Sequence, residues 1–439
     1  MNDKEAREYL EEAARYGGGC EPERLLALCG RLGNPQQGLP CIVIAGTNGK
    51  GSAAAYISTV LACAGYRTGR FTSPAVFDCR ERIQVNGRPV TRQGFREGLE
   101  RVREAAEAMT SEGLPQPVAF EMELAAAFLY FKKKGCDVAV LEAETDSEAG
   151  VAAVAGTPLA AVFTPIGIEH AEHVWKAGES IETIAEGKAR IIQNGCAVIS
   201  AKQRKEAEAV LACRAEERGS SLIMVSDADL KQVKYGMEKQ HFSYGGFKSL
   251  TITMGGKYQV MNGALAVETI KILQQYGFTV TEKQLREGLL KTEWKGRFTI
   301  IARKPLFLID GAHTPDAAGQ LAESLRSYLP GKRMIFITGM LKDSACEQIL
   351  NAWAGLAEHI VTVKVPGHKE TMEAYELAKE AQKCHPSVTA ADSLEEAAEL
   401  GLLLAGKDGV IVAAGSLLYL GALTKIIENR DKNRRTPPR

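Results

Sequence analysis

Residues 41–52, Cys-Ile-Val-Ile-Ala-Gly-Thr-Asn-Gly-Lys-Gly-Ser, admit few structures. Five apolar residues in a row read as a strand buried on both faces, and the glycines after them permit a tight turn whose backbone N–H groups converge on an anion. Lys50 then brings positive charge, and a helix starting there aims its N-terminal end at the same point. Strand, turn and helix in this order belong to parallel α/β sheets, and the chemistry they suit is a nucleotide phosphate, with ATP the leading candidate. Gly46, Gly49, Lys50, Gly51 and Ser52 would carry that job, with Thr47 and Asn48 in the same turn. One detail departs from the usual phosphate loop: Gly51 separates Lys50 from Ser52, where Ser or Thr ordinarily follows Lys directly. An ordinary glycine-rich turn therefore stands as the alternative.

The rest of the chain repeats the same grammar. Short Val- and Ile-rich runs alternate with stretches of helical period, the pattern of a parallel sheet with crossover helices. Strands are expected at 41–45, 68–72, 138–142, 160–164 and 197–200, and helices after Lys50 and over 92–109, 121–134 and 181–192. A β-rich patch at 241–254 precedes helical runs at 262–276 and 281–290. After Glu293-Trp294-Lys295-Gly296-Arg297 the alternation restarts, with strands near 306–310, 334–338, 359–365 and 409–413. The fold class is α/β in two parts, an ATP-binding parallel-sheet domain over 1–296 and a smaller Rossmann-like α/β domain over 297–439. A site shared by two such domains would lie in the cleft between them, beyond the C-terminal edges of the strands.

Charge and cysteine usage narrow the partners. Lys plus Arg and Asp plus Glu number 54 each, giving a formal net charge of zero, and no sustained basic stripe precedes the tail, so nucleic acid is not expected as a partner. The ten cysteines form no C-x-x-C pair and several fall within apolar patterns, as in a reducing compartment. No apolar run approaches the roughly 18 residues that a bilayer span requires, and the charged start Met1-Asn2-Asp3-Lys4-Glu5 does not resemble a signal peptide. A cytoplasmic monomer acting on small molecules is the expectation, without membrane association.

Further signatures follow the phosphate loop in a fixed order: Thr72-Ser73-Pro74, Arg80-Glu81-Arg82-Ile83, Phe120-Glu121, Gly167-Ile168-Glu169-His170, Trp294-Lys295-Gly296-Arg297-Phe298, Asp310-Gly311-Ala312-His313 and Gly415-Ser416-Leu417. With the loop, this set resembles the folylpolyglutamate synthase and dihydrofolate synthase family, within the wider Mur ligase group, over nearly the whole chain. The resemblance implies an ATP-dependent amide ligase. ATP phosphorylates a carboxylate of a folate or pteroate derivative, and the amine of L-glutamate then displaces phosphate. Mg2+ would be required, because charge gathers on the transferring phosphoryl group.

The resemblance also implies residue roles. Lys50, His170 and Lys188 would be catalytic. Ser73 and Glu142 would hold one metal ion and His170 a second; a turn-capping Ser, a solvated Glu beside Glu144 and a hydrogen-bonded core His are the plainer readings. Lys188 matches the lysine that family members carbamylate, against an exposed helix lysine, although Gly187 stands where the family has Glu. Arg297 would contact the nucleotide phosphates, Asp310 and His313 would help hold the nucleotide, and Asn262 would lie near the adenine unless it is a helix N-cap. Phe120, Glu121, Arg82 and Ser416 would face the acceptor, with Phe120-Glu121 alternatively the acidic first turn of a helix.

Four further departures stand out. Ala75 replaces a usual His, and Thr314 a usual Asn. The segment after His170 reads longer than usual, through His173, Trp175 and Lys176. Where the family has Gly-Gly-Arg-Leu-Asp-Ala-Thr-Asn, this chain has Ser147-Glu148-Ala149-Gly150-Val151-Ala152-Ala153-Val154. Glu148 in place of Arg would repel an anion once held there. An active ligase with a re-cut acceptor pocket and a divergent nucleotide-binding paralogue without ligase activity both follow from that change.

Overall fold

The computed structural model describes residues 1–14, 18–168, 180–342 and 344–435. Its largest sheet has eight strands, in spatial order Arg88–Pro89, Ile83–Val85, Thr68–Phe71, Val138–Glu142, Cys41–Ala45, Ala160–Phe163, Ala197–Ala201 and Leu222–Val225. The six strands from Thr68–Phe71 onward pair in parallel, and the first two add antiparallel. Cys41–Ala45 sits near the middle with every residue buried. Its odd positions Cys41, Val43 and Ala45 join one core and Ile42 and Ile44 another, because successive side chains leave a strand on opposite faces. Helices Arg92–Ser111 and Ala119–Lys134 cover the first face, and Lys50–Cys63 and Gln259–Leu273 the second. That two-sided burial is why the strand reads as an unbroken apolar run.

After Cys41–Ala45 the chain crosses to Thr68–Phe71 on one side, whereas Ala160–Phe163 lies on the other. The strand order thus reverses beside this strand, opening a crevice where its C-terminal end meets the glycine-rich turn. A three-stranded antiparallel sheet follows, Lys231–Lys234, Gln240–Tyr244 and Phe247–Ile252. The last part is a six-stranded sheet in the order Thr299–Arg303, Leu306–Ile309, Val410–Ala414, Met334–Thr338, Ala357–Thr362 and Val388–Ala390, parallel apart from its first strand. Helices Pro315–Tyr328 and Cys346–Ala354 pack on one face, and Leu394–Ala405 and Leu420–Arg435 on the other.

Several boundaries differ from expectation. The helix expected at 262–276 begins earlier, at Gln259, and closes with a 3-10 turn at Gln274–Tyr276; the one expected at 181–192 ends at Lys188. The run 147–154, which carries the departure from the family pattern, forms a helix, Glu148–Ala155, packed against helix Pro22–Arg31. No helix among the described residues is long and apolar enough to cross a membrane. All ten cysteines are free of disulfides.

Candidate active site

The turn after Cys41–Ala45 is shaped by what lies beneath it. Gly46 (φ 136°) and Gly49 (φ 99°) take left-handed backbone that side chains resist, and an added Cβ would meet Thr164 Oγ1 at 2.2 Å and Asn262 Oδ1 at 2.6 Å respectively. The turn is pinned from below, with Thr47 N donating to Pro165 O at 3.0 Å and the Thr47 hydroxyl bridging Gly167 O and N at 3.1 and 3.0 Å. Lys50 begins the next helix and donates from Nζ to Gly46 O at 3.0 Å and Thr47 O at 3.2 Å. Ser52 is buried, its hydroxyl accepting from Gln259 Nε2 at 3.1 Å. Asn48 reaches outward instead. Its amide exchanges hydrogen bonds with the Thr314 hydroxyl of the second domain at 3.2 and 3.3 Å.

Beside the turn stands a buried carboxylate. Glu142 ends the strand Val138–Glu142 and is 4% exposed. Burial, aided by Glu144, pushes its pKa up to about 7, against the opposing charges of Lys50 and Arg297 and a long hydrogen bond from Ser73 N at 3.4 Å. Arg82 lies behind Ser73, donating to the Ser73 hydroxyl and to Glu123, with Glu144 3.7 Å away. Arg82 is not itself among the cleft-lining residues; it braces the wall through Ser73, which is.

The second domain supplies the opposite wall. Asp310 follows strand Leu306–Ile309; its Oδ2 accepts from Tyr258 OH and Phe298 N, both at 2.7 Å, and its Oδ1 from Ala312 N at 2.8 Å. Burial nonetheless raises its pKa. Arg297, His313, Thr314 and Ser416 line the same cleft, whose volume is about 750 Å³. Thr314 also caps helix Pro315–Tyr328. Asn262 lines the cleft from inside helix Gln259–Leu273, with Tyr258 at the N-cap position, so the N-cap reading of Asn262 is corrected.

Two expectations fail on burial. Glu121 is fully buried, held by Arg24 Nε (2.6 Å), Glu21 N (2.8 Å) and Val118 N (3.0 Å), while half-buried Phe120 packs edge-on against Phe71. Neither lines the cleft. Together they start helix Ala119–Lys134, the plainer reading of that motif. Glu148 likewise does not face an acceptor: at 3% exposure its Oε1 lies 3.6 Å from Lys188 Nζ. The expected repulsion is corrected, because that carboxylate is directed at a cation. Lys188 is fully buried, ruling out an exposed helix lysine, and its Nζ lies 3.5 Å from Thr145 Oγ1, on a residue of the cleft wall. His170, with His173, Trp175 and Lys176, lies outside the described residues.

Several cleft residues escaped the sequence reading. Lys257 sits with Nζ 4.6 Å from the Tyr235 ring centroid and pairs with Glu323 across the cleft, and Tyr258 fixes Asp310. Their only local signal was proximity to Asn262; their partners lie up to 66 positions away.

Comparison with known proteins bears on this geometry. Residues 44–270 match the Mur ligase middle domain and residues 296–417 the Mur ligase glutamate ligase domain. The chain is 31% identical over 378 residues to a folylpolyglutamate synthase of Lacticaseibacillus casei, covering 84% of this chain and 86% of the relative. It is 26% identical over 431 residues to a dihydrofolate synthase/folylpolyglutamate synthase of Bacillus subtilis (strain 168), covering 96% and 98%. A solved folylpolyglutamate synthase complex with AMPPCP and folate superposes with a TM-score of 0.82 at 28% identity, over 98% of this chain and all of the other.

Proposed function

The chain belongs to the Mur ligase family, in its folylpolyglutamate synthase and dihydrofolate synthase branch, and from that premise we propose that its cleft joins L-glutamate to the carboxylate of a folate or dihydropteroate at the expense of ATP. The observation that carries the proposal is the meeting of Lys50, Glu142 and Arg297 in one cleft walled by both domains. A phosphate loop alone would suit any nucleotide hydrolase. A second domain that brings Arg297 and Asp310 over that loop suits transfer of a phosphoryl group to a substrate held between the walls.

In this reading the triphosphate lies over residues 46–52. The Lys50 ammonium and the N-terminus of helix Lys50–Cys63 neutralise its oxygens, and Arg297 faces the group in transfer. An acceptor carboxylate oxygen bonds to the γ-phosphorus as the bond to the bridging oxygen breaks, and ADP leaves. The uncharged amine of glutamate then attacks the acyl carbon, phosphate departs, and the amine proton is lost as the amide forms. Asp310, bonded to Tyr258, Phe298 and Ala312, holds the second wall in register.

Glu142 and Ser73 offer hard oxygens, and the buried carboxylate with its raised pKa is short of positive charge, which fits Mg2+. Among the described residues no three His, Cys, Asp or Glu side chains form a metal cluster, and two oxygens suffice for an ion that also binds phosphate and water. Bound there, the ion would neutralise charge on the phosphate oxygens. Lys188, paired with Glu148 behind Thr145, would set that stretch of wall. Both walls come from one chain, so a monomer is enough, and free cysteines suit the cytoplasm.

The polar family residues at 147–154 give way here to a core helix, which favours an altered acceptor within the same chemistry. A panel of dihydropteroate and reduced folates, with ATP, Mg2+ and glutamate, tests both points. Phosphate release with at least one acceptor is expected, and Lys50→Ala should lower it by about 10³-fold or more. Tight nucleotide binding with no release across the panel would instead identify a paralogue without ligase activity.

A further inference from the structure

Trp294 packs against Gly51 of the phosphate loop without lining the cleft itself, in the segment that leads into the second domain. A Cβ built on Gly51 would meet its indole at 2.8 Å (Cζ2) and 3.0 Å (Cε2 and Nε1). Gly51 is absent from the left-handed residues, so the indole and not the backbone conformation demands glycine at this position. Over the same ring lies Arg70, its guanidinium carbon 4.8 Å from the centroid. Arg70 is 5% exposed and has no carboxylate within ion-pair distance among the described residues; it donates to Ser58 Oγ at 3.1 Å and Gln84 Oε1 at 2.6 Å. A desolvated guanidinium so placed gains from the indole face. Ser58 belongs to helix Lys50–Cys63, so Arg70 ties the indole to the helix that carries Lys50.

Downstream of Trp294 the chain is anchored to the second domain. Gly296 O accepts from Gly311 N at 2.8 Å, Arg297 enters the cleft, and Phe298 N donates to Asp310 Oδ2 at 2.7 Å. One short strap therefore touches the phosphate loop at one end and carries Arg297 at the other. We propose that Trp294, clamped by Arg70, is a positioning residue that sets the spacing between the phosphate loop and Arg297. The inference rests on the nucleotide-binding reading given above.

A double-mutant cycle tests it on the full chain, with AMPPCP affinity in Mg2+ and steady-state kinetics as readouts. Gly51→Ala forces a methyl into the indole, and Trp294→Ala removes the platform. Each should weaken AMPPCP binding about tenfold and lower kcat, and the pair together should lose about tenfold in total, not the hundredfold of independent sites. KM for glutamate should hold within about twofold, which confines the effect to the nucleotide side of the cleft, and the loss of AMPPCP affinity in the folded fraction separates it from general destabilisation, which lowers kcat alone. Trp353→Phe, in the core of the second domain, serves as the stability control and should lower the thermal midpoint without changing AMPPCP affinity. Running the same cycle with Trp294→Phe guards against a truncation that unfolds. Additive losses, or unchanged affinity in both single variants, overturn the inference. Failure of the unaltered protein to bind AMPPCP would instead sink the nucleotide reading itself.

Discussion

A carboxyl group closed off from water ionises only where cations face it, and at Glu142 the charges of Lys50 and Arg297 fall short of offsetting burial. With a pKa of about 7, the folded protein keeps a proton that the unfolded chain has already released. The group therefore favours the fold at acid pH, and that contribution is lost as pH rises through about 7. A bound cation competes with the same proton. Mg2+-dependent nucleotide affinity should thus rise between about pH 6 and pH 8 and then level off, while Glu142→Gln should bind more weakly with a flat profile. Calorimetric titration across that range reads it, and a flat profile in the unaltered protein would remove Glu142 from the metal site. Other single residues show where sequence reading stops. The family resemblance gave Glu121 a place facing the acceptor, yet its partner Arg24 lies 97 positions away and turns it into core structure. Asn262 read equally as an adenine neighbour or as a cap, and the cap falls because the helix starts at Gln259, one turn earlier.

Elements were legible where burial imposes a period. Strands at 41–45, 138–142 and 334–338 were expected with the bounds they have, because a central parallel strand buried on both faces must be apolar throughout. Helix Glu148–Ala155 was not legible as an element, since its small apolar residues fit a loop as well as a core. Tertiary packing decides it: a Cβ at Gly150 would lie 2.2 Å from Cys20 Sγ, and Cys20 N donates to Asp146 O at 3.1 Å, so the helix nests against the entry to Pro22–Arg31. Glu148 then points at Lys188. Glu148→Arg, which would restore the family's charge, should set two cations against each other in a buried site. We expect it to cost about 3–5 kcal/mol in urea unfolding with no gain in folate affinity. Tighter folate binding at unchanged stability would show that position 148 faces the acceptor after all.

At the scale of the whole molecule, function depends on two sheets holding one cleft. Asn48 of the phosphate loop and Thr314 of the second domain meet although 266 positions separate them, and Lys257 and Glu323 close the same side. A nucleotide seated between such walls stabilises both. AMPPCP with Mg2+ at a hundred times its Kd should raise the unfolding free energy by about 2.7 kcal/mol, and in calorimetry both domains should shift together. A shift confined to one of two resolved transitions would mean that only one wall binds. The amino-acid order by itself determined the α/β class, the glycine-rich turn and the family, because strands buried on two faces and turns that need glycine leave few other residues possible. Only the tertiary structure decided which charged groups reach the cleft. Glu121, Arg82, Glu148 and Lys188 are ionic residues that a sequence presents as available for chemistry; low-dielectric burial requires each to find a partner, and that partner comes from a distant part of the chain.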